Sequence, residues 1–131
     1  MESTLAVARK YVDAVSAKDF ATVAGLFAAD IVWHQPGANQ LSGSHRGAAA
    51  VDELLGKMMV VSEGTFELAV TGASMVNGDT VAIPVHFSAQ RDGVKLAQDG
   101  VDVLRIEGDR IVEVRLFSSD QHAEDAFWGT D

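Results

Sequence analysis

The chain has 131 residues, a formal charge of -9 from ten Lys and Arg against nineteen Asp and Glu, 47% hydrophobic residues and no cysteine. That length and apolar content predict a single folded domain over residues 1–131 and exclude a disordered chain. The negative charge disfavours nucleic acid and anionic membrane surfaces as partners, and the lack of cysteine excludes disulfides and thiolate sites. Because no apolar run approaches the roughly 18 residues of a membrane span, we expect a cytoplasmic protein.

The first third of the chain has helical periodicity. A first helix is predicted from apolar residues that recur every three or four positions: Leu5, Ala8, Val12 and Val15. Asp19 is a typical N-cap for a second helix, and a β-rich run at 31–35 is followed by a loop up to Gly47. A third helix is predicted from residues that share one helical face: Val51, Leu54, Leu55, Met58 and Met59.

After Gly64 the apolar period changes to two. The alternation and the turn signals between its segments predict four antiparallel strands, at about 66–70, 81–88, 95–106 and 110–118. Helices followed by such strands form an α+β pattern. Because the sheet is long for the helices that must cover it, we predict a cone with an internal pocket. In this cone three N-terminal helices pack on a strongly curved, mostly antiparallel sheet, and a short helix or ordered tail closes it.

Three segments are similar to those of a known superfamily: 11–19 (YVDAVSAKD), 33–37 (WHQPG) and 99–106 (DGVDVLRI). With the order of the elements they resemble the nuclear transport factor 2 superfamily, and within it the bacterial Δ5-3-ketosteroid isomerases and the SnoaL-like polyketide cyclases. The resemblance covers about residues 8–120. It implies a cone-shaped fold, a small hydrophobic ligand and no cofactor.

The resemblance also implies roles for individual residues. Tyr11 and Asp102 match the isomerase's oxyanion hole, in which the aspartic acid stays protonated and donates a hydrogen bond. The position of the isomerase base holds Gln35, whose amide cannot abstract a proton from carbon. In SnoaL-like cyclases the acid/base aspartate lies near the end of the last long strand, where this chain has Asp120. Strand parity places Asp120 on the same apolar face as Leu116, where partial desolvation would raise its pKa.

The remaining candidates follow from the alternation along the strands. His34 has a side chain suited to proton transfer near neutral pH, but it alternates with Trp33 and Gln35 and is expected to face away from the pocket. No two histidines share a face with a carboxylate at ligand spacing, so no metal site is predicted. The predicted substrate-binding wall is mostly apolar: Val15, Trp33, Gln35, Leu54, Phe66, Val70, Ile83, Val85, Phe87, Leu104 and Leu116.

Two functions of different classes fit this sequence. The first is a cofactor-free isomerase or cyclase acting on an enolisable, apolar carbonyl compound of steroid or polyketide kind. In it Tyr11 and Asp102 would stabilise an enolate while Asp120 moves the proton. The second is a non-catalytic module of the same fold for hydrophobic-ligand binding or dimerisation, which Gln35 at the base position favours.

The outer face of the predicted sheet bears on assembly and on a third function. Apolar residues alternate out of the pocket and predict a homodimer through this face: Val101, Val103, Ile111 and Phe117. Arg105 and Arg115 are predicted on the same outer face. That placement disfavours an epoxide hydrolase, which would need an arginine between two aspartates inside the pocket.

Overall fold

The computed structural model describes residues 2–130. In chain order the elements are α1 (Glu2–Ser16), α2 (Phe20–Leu26), β1 (Phe27–Gln35), β2 (Gly43–Arg46), α3 (Ala48–Val61), β3 (Glu67–Val70), β4 (Met75–Asn77), β5 (Thr80–Arg91), β6 (Val94–Glu107), β7 (Arg110–Ser118) and α4 (Gln121–Trp128). The predicted α+β class, with three N-terminal helices on a curved and mostly antiparallel sheet, is confirmed. No helix within the described residues is long and apolar enough to cross a membrane.

The strands form one curled sheet in the order β2-β1-β7-β6-β5-β3, and β4 also pairs with β5. All neighbours are antiparallel except β1 and β7, which run parallel. Pro84 of β5 pairs with Val101 of β6, while its other side faces the gap between the short strands β3 and β4. A residue without an N–H group is tolerated there because no neighbouring strand needs that donor.

The helices pack on the sheet through apolar side chains such as those of α1, and a cap stabilises the first turn of α2. Asp19 caps α2 by accepting a hydrogen bond from the Thr22 amide at 3.2 Å, as predicted. The core contains side chains from the inner face of every long strand, with Ile31, Ile83 and Leu104 fully buried. The cone is therefore packed tightly where α1 and α3 lie on the sheet.

The structure has strands that the sequence pattern does not predict. β1 begins at Phe27 rather than at 31, β2 lies within the predicted loop, and β4 is a three-residue strand before the turn at Asn77-Gly78. β2 is polar and its residues are mostly exposed, so it carries no apolar alternation. It pairs with β1 through backbone hydrogen bonds and a contact of 3.1 Å between His34 Nδ1 and Ser44 Oγ, and an apolar side-chain pattern reveals neither.

The prediction that Ile111 lies on the outer face is wrong, because Ile111 is fully buried. The register between β6 and β7 shifts next to Arg105, where a bulge places an extra residue in β7. Ile111 and Val114, three residues apart, therefore both point into the core, while Glu113 between them points outward.

The last helix is fastened to the loop that follows β1. Asp125 accepts hydrogen bonds from the Ala38 amide at 3.1 Å and from the Asn39 side chain at 2.8 Å. At the start of the helix, the Gln98 side chain pairs with both backbone groups of Asp120, each at 2.9 Å. These contacts fix α4 across one end of the cone.

Candidate active site

A cavity of about 70 Å³ lies inside the cone and is lined by side chains from α1, α3, α4 and the inner face of the sheet. One water molecule needs roughly 10–15 Å³ on the same measure, so the cavity has room for several waters or a small organic group. Its wall is mostly apolar, with these polar side chains: Tyr11, Lys18, Gln35, Asp102, Ser118 and Glu124.

The structure brings together part of the predicted substrate-binding wall. The predicted residues that line the cavity are Val15, Trp33, Gln35, Phe66, Phe87 and Leu116. A second group is buried in the core instead of lining the cavity, because the helices pack directly against it: Leu54, Ile83, Val85 and Leu104. Val70 ends the short edge strand β3 and is 42% exposed, so its predicted place in the wall is wrong.

Tyr11 and Asp102 meet in the cavity from opposite layers of the fold. Tyr11 projects from α1, and Asp102 projects from β6, where its neighbours in the sheet are Ile83 and Leu116. Burial raises the pKa of Asp102 to about 7, and the charge of Glu124 contributes to the rise. Burial also raises the pKa of Tyr11 well above its usual value of 10, with a further contribution from the charge of Asp102.

Both groups are available to a ligand. Tyr11 and Asp102 are both buried, with exposed fractions of only 3% and 8% respectively. Even so, within the described residues neither the Tyr11 hydroxyl nor the Asp102 carboxyl is hydrogen-bonded to another protein group. Among the same residues, every side-chain N or O atom that is fully buried has a hydrogen-bond partner. The oxygens of Tyr11 and Asp102 must therefore open onto the cavity, where buried polar groups need a partner.

Gln35 occupies the predicted place in the cavity. It follows Trp33 at period two on β1, and the Trp33 indole N–H donates to the Gln35 carbonyl oxygen at 2.9 Å. The indole therefore orients the amide, whose NH₂ group remains a donor. Gln35 contributes a neutral hydrogen-bonding group to the cavity and no proton acceptor for a C–H bond.

Asp120 does not line the cavity, and the prediction that it faces the pocket is wrong. β7 ends at Ser118, so strand parity no longer applies two residues later. The exposed Asp120 side chain is the N-cap of α4 and accepts a hydrogen bond from the Ala123 amide at 3.0 Å. A capping carboxylate that faces solvent does not contact a ligand inside the cone.

Glu124 is one of the cavity residues that the sequence analysis does not predict. It is 4% exposed, projects from α4 and accepts hydrogen bonds from Ser118 Oγ at 2.7 Å, Gln121 Nε2 at 3.0 Å and Trp128 Nε1 at 3.2 Å. A sequence signal was present, because Glu124 and Trp128 are four residues apart and share one face of a short helix.

An aromatic surface forms one side of the cavity. The rings of Phe66 and Phe87 are 6.4 Å apart and inclined by 28°, and those of Phe66 and Trp128 are 6.4 Å apart and inclined by 34°. Phe66 and Phe87 are therefore stacked, Trp128 is tilted against Phe66, and the three rings give the cavity an aromatic wall.

His34 lies outside the cavity, as the alternation along β1 predicts. Its Nε2 atom is 2.7 Å from Glu113 Oε2 on the outer face of the sheet, where Arg105 and Arg115 also contact Glu113. Among residues 2–130, no three His, Asp or Glu side chains come together in a way that could hold a metal ion.

The family model for the SnoaL-like domain matches residues 8–114, a range that includes Tyr11 and Asp102. The chain belongs to the SnoaL-like family. None of the curated proteins matches this SnoaL-like chain.

Solved structures with the same fold extend this assignment. A protein of unknown function with a cystatin-like fold from Xanthomonas campestris is 53% identical, with a TM-score of 0.92 over 96% of this SnoaL-like chain and 98% of its own. An NTF2-like protein from Burkholderia xenovorans is 19% identical, with a TM-score of 0.74 over 95% of each chain. A candidate polyketide cyclase from Sinorhizobium meliloti is 22% identical, with a TM-score of 0.64 over 84% of this chain and 92% of its own. The predicted resemblance to SnoaL-like proteins is confirmed by the family model, and these structures show that the chain shares the fold of NTF2-like proteins.

Proposed function

We propose that this SnoaL-like protein is a cofactor-free isomerase or cyclase that acts on an enolisable carbonyl compound with a flat, apolar skeleton. The observation that carries the proposal is the pair of buried donors, Tyr11 and Asp102, whose oxygens open onto a mostly apolar cavity without a protein partner. Two such donors stabilise a carbonyl oxygen as it gains charge and becomes an enolate.

The protonation of the pair supports this role. Asp102 keeps its proton up to about pH 7, so it can donate a hydrogen bond near neutral pH. Tyr11 stays protonated over the same range because its pKa is raised further. In surroundings of low dielectric constant both hydrogen bonds strengthen as the oxygen becomes negative, which lowers the barrier to enolisation.

The skeleton of the substrate is inferred from the wall of the cavity. Phe66 stacks with Phe87 and is tilted by 34° against Trp128, and aliphatic side chains such as Leu55, Leu68 and Leu116 also line the cavity. A fused or aromatic ring system of polyketide or steroid kind would stack on these rings with its oxygen directed towards Tyr11 and Asp102. The candidate polyketide cyclase of the same fold supports a polyketide-like substrate by analogy.

A second candidate function is that of a non-catalytic module that binds a hydrophobic ligand. The observation that favours it is Gln35, a neutral amide where the ketosteroid isomerases have a base. This alternative uses the same two donors for recognition and requires no proton transfer from carbon.

The first prediction tests the donor pair with 2-naphthol, a stable phenol that mimics an enol. We expect wild-type protein and Asp102→Asn to bind it with affinities within a few-fold of each other, because an amide N–H can replace the carboxyl donor. Asp102→Leu and Tyr11→Phe should each weaken binding about tenfold to a hundredfold, the usual cost of an unpaired buried polar group. The affinities can be measured by fluorescence titration at about pH 6.

Equal affinity in all four proteins would contradict the donor pair and with it the proposed function. Thermal denaturation of each variant shows whether a loss of affinity reflects the missing donor or loss of the fold. Catalysis of α-proton exchange in a ketone, described below, separates the enzyme from the binding module.

We further propose a homodimer formed through the outer face of the sheet. Val101 and Phe117 are neighbours across β6 and β7 and are 36% and 56% exposed. Covering such side chains with a second copy would remove them from water.

We expect sedimentation to give a dimer of the wild-type protein at micromolar concentration and a monomer of the Val101→Glu variant. Val94→Glu, at the exposed first position of β6, is the matched control, and a monomeric wild type would contradict the proposal.

A further inference from the structure

We propose that Glu124 is the proton acceptor of this site, and that the substrate directs its acidic C–H bond towards Glu124 while its carbonyl oxygen binds Tyr11 and Asp102. This inference rests on the function proposed above. It assigns to Glu124 a role that Gln35 cannot fill chemically and that Asp120 cannot fill from outside the cavity.

The hydrogen bonds of Glu124 leave it able to accept a proton. A carboxylate has about four acceptor positions, two on each oxygen. Oε1 accepts from Ser118 and Gln121, whereas Oε2 accepts from Trp128 alone. One position on Oε2 therefore remains for a substrate, and Glu124 lines the same cavity as Tyr11 and Asp102.

Glu124 is also held in a fixed place, as a base that must reach a carbon atom requires. Ser118 ends β7, and Trp128 lies one turn further along α4. The helix itself is anchored at its first turn by Gln98 and in its middle by Asp125. A carboxylate anchored to the sheet and to its own helix keeps its orientation when a ligand binds.

The two buried carboxyl groups have different surroundings, which assigns them different roles. Glu124 receives three hydrogen bonds that stabilise a carboxylate, whereas Asp102 receives none from the described residues. Two negative charges in one apolar cavity are unfavourable, and the charge of Glu124 helps to keep the proton on Asp102. Glu124 thus carries the negative charge and accepts a proton, whereas Asp102 carries a proton and donates a hydrogen bond.

The step balances without a further reagent. The C–H bond next to the carbonyl breaks, its proton moves to Glu124 Oε2, and its electron pair forms the C=C bond of an enolate. The oxygen of the enolate accepts hydrogen bonds from Tyr11 and Asp102. A proton then returns from Glu124 to carbon, either at the original position or at another position of the conjugated system. In D₂O the hydrogen held by Glu124 exchanges with solvent deuterium before this return, so deuterium enters the substrate.

The experiment is the exchange of α-protons of 2-tetralone in D₂O, followed by proton NMR, since 2-naphthol is the aromatic mimic of its enol. We expect the wild type to accelerate exchange over buffer and Glu124→Gln to lower that rate by about 10²–10⁴-fold, the usual contribution of a general base. Glu124→Asp, which keeps a carboxylate but withdraws it, should retain an intermediate rate. Both variants should bind 2-naphthol nearly as tightly as the wild type.

Asp120→Asn is the matched control on the same helix, because asparagine is an equally good N-cap and position 120 lies outside the cavity. It should exchange 2-tetralone at the wild-type rate. A protein that binds 2-naphthol but exchanges no faster than buffer, or a Glu124→Gln variant with the wild-type rate, would overturn the role of Glu124. Loss of exchange in Asp120→Asn alone would also overturn it. Failure of every variant and the wild type to bind 2-naphthol would refute the donor pair instead.

Discussion

We expect the Asp102→Asn variant to be more stable than the wild-type protein near neutral pH, by up to about 4 kcal/mol. Burial, with the charge of Glu124, raises the pKa of Asp102 from 3.8 to about 7 in the folded protein. The unfolded chain therefore releases this proton at lower pH than the folded protein does. Between the two values the folded state binds more protons, so the Asp102 contribution to the free energy of unfolding falls as the pH rises from about 4 to about 7.

Asparagine removes this dependence because it has a similar shape and no charge to bury. Urea denaturation should show a small difference between Asp102→Asn and the wild type at about pH 4.5 and a difference of several kcal/mol at about pH 7.5. Asp109→Asn is the control, since the Asp109 side chain is 88% exposed in the β6–β7 turn and its charge is already hydrated. A constant difference at both pH values would contradict the raised pKa of Asp102.

The second large effect is on the pH dependence of 2-tetralone exchange. The donor form of Asp102 is lost above about pH 7, so the wild-type rate should fall about tenfold per pH unit and reach roughly 1% of its plateau two units higher. The other charged or titratable groups that line the cavity are Tyr11, Lys18 and Glu124. Tyr11 remains protonated because its pKa is raised above 10, and Glu124 is required as the carboxylate.

Asp102→Asn should abolish this decline, because an amide donates its hydrogen at any pH. Its rate would be lower than that of the wild type at pH 6 but level from there to alkaline pH, after subtraction of the exchange that buffer alone causes. Asp120→Asn should keep the wild-type profile. A decline with the same midpoint in Asp102→Asn would show that another group controls the rate.

The positions of Tyr11, Gln35 and Asp102 illustrate what local periodicity can predict. Each lies inside a regular element, where the direction of a side chain repeats every 3.6 or two residues. The sequence around Tyr11 and Asp102 also resembles a known site, and the structure places both in one cavity. The fold class follows from the same alternation of helical and strand periods.

Asp120 and Glu124 illustrate where that reasoning fails. The prediction for Asp120 extends the parity of β7 beyond Ser118, but the chain turns there and Asp120 begins a helix. Once Asp120 is recognised as an N-cap, helical spacing places Glu124 and Trp128 on one face. Because the parity of β7 is extended past the end of the strand, the sequence analysis selects the exposed Asp120 and not the buried Glu124.

Other differences depend on the packing of the whole molecule. The bulge that buries Ile111 arises from pairing between β6 and β7, and no residue type in β7 requires it. Core and cavity wall differ only in how closely the helices approach the sheet. Leu54 and Leu104 are therefore as apolar as Leu116, which lines the cavity, although they lie in the core.

The parallel pairing of β1 with β7 has a consequence for the order in which the protein folds. It places Trp33 beside Val114, about 80 residues away in the sequence, whereas β5, β6 and β7 are joined by short turns. Contacts between distant segments cost more loop-closure entropy and form more slowly than local hairpins. The wall that carries Trp33 and Gln35 is thus expected to join the sheet late. A ligand of the cavity then binds only chains that have completed this closure, and it stabilises the native state over every partly folded one.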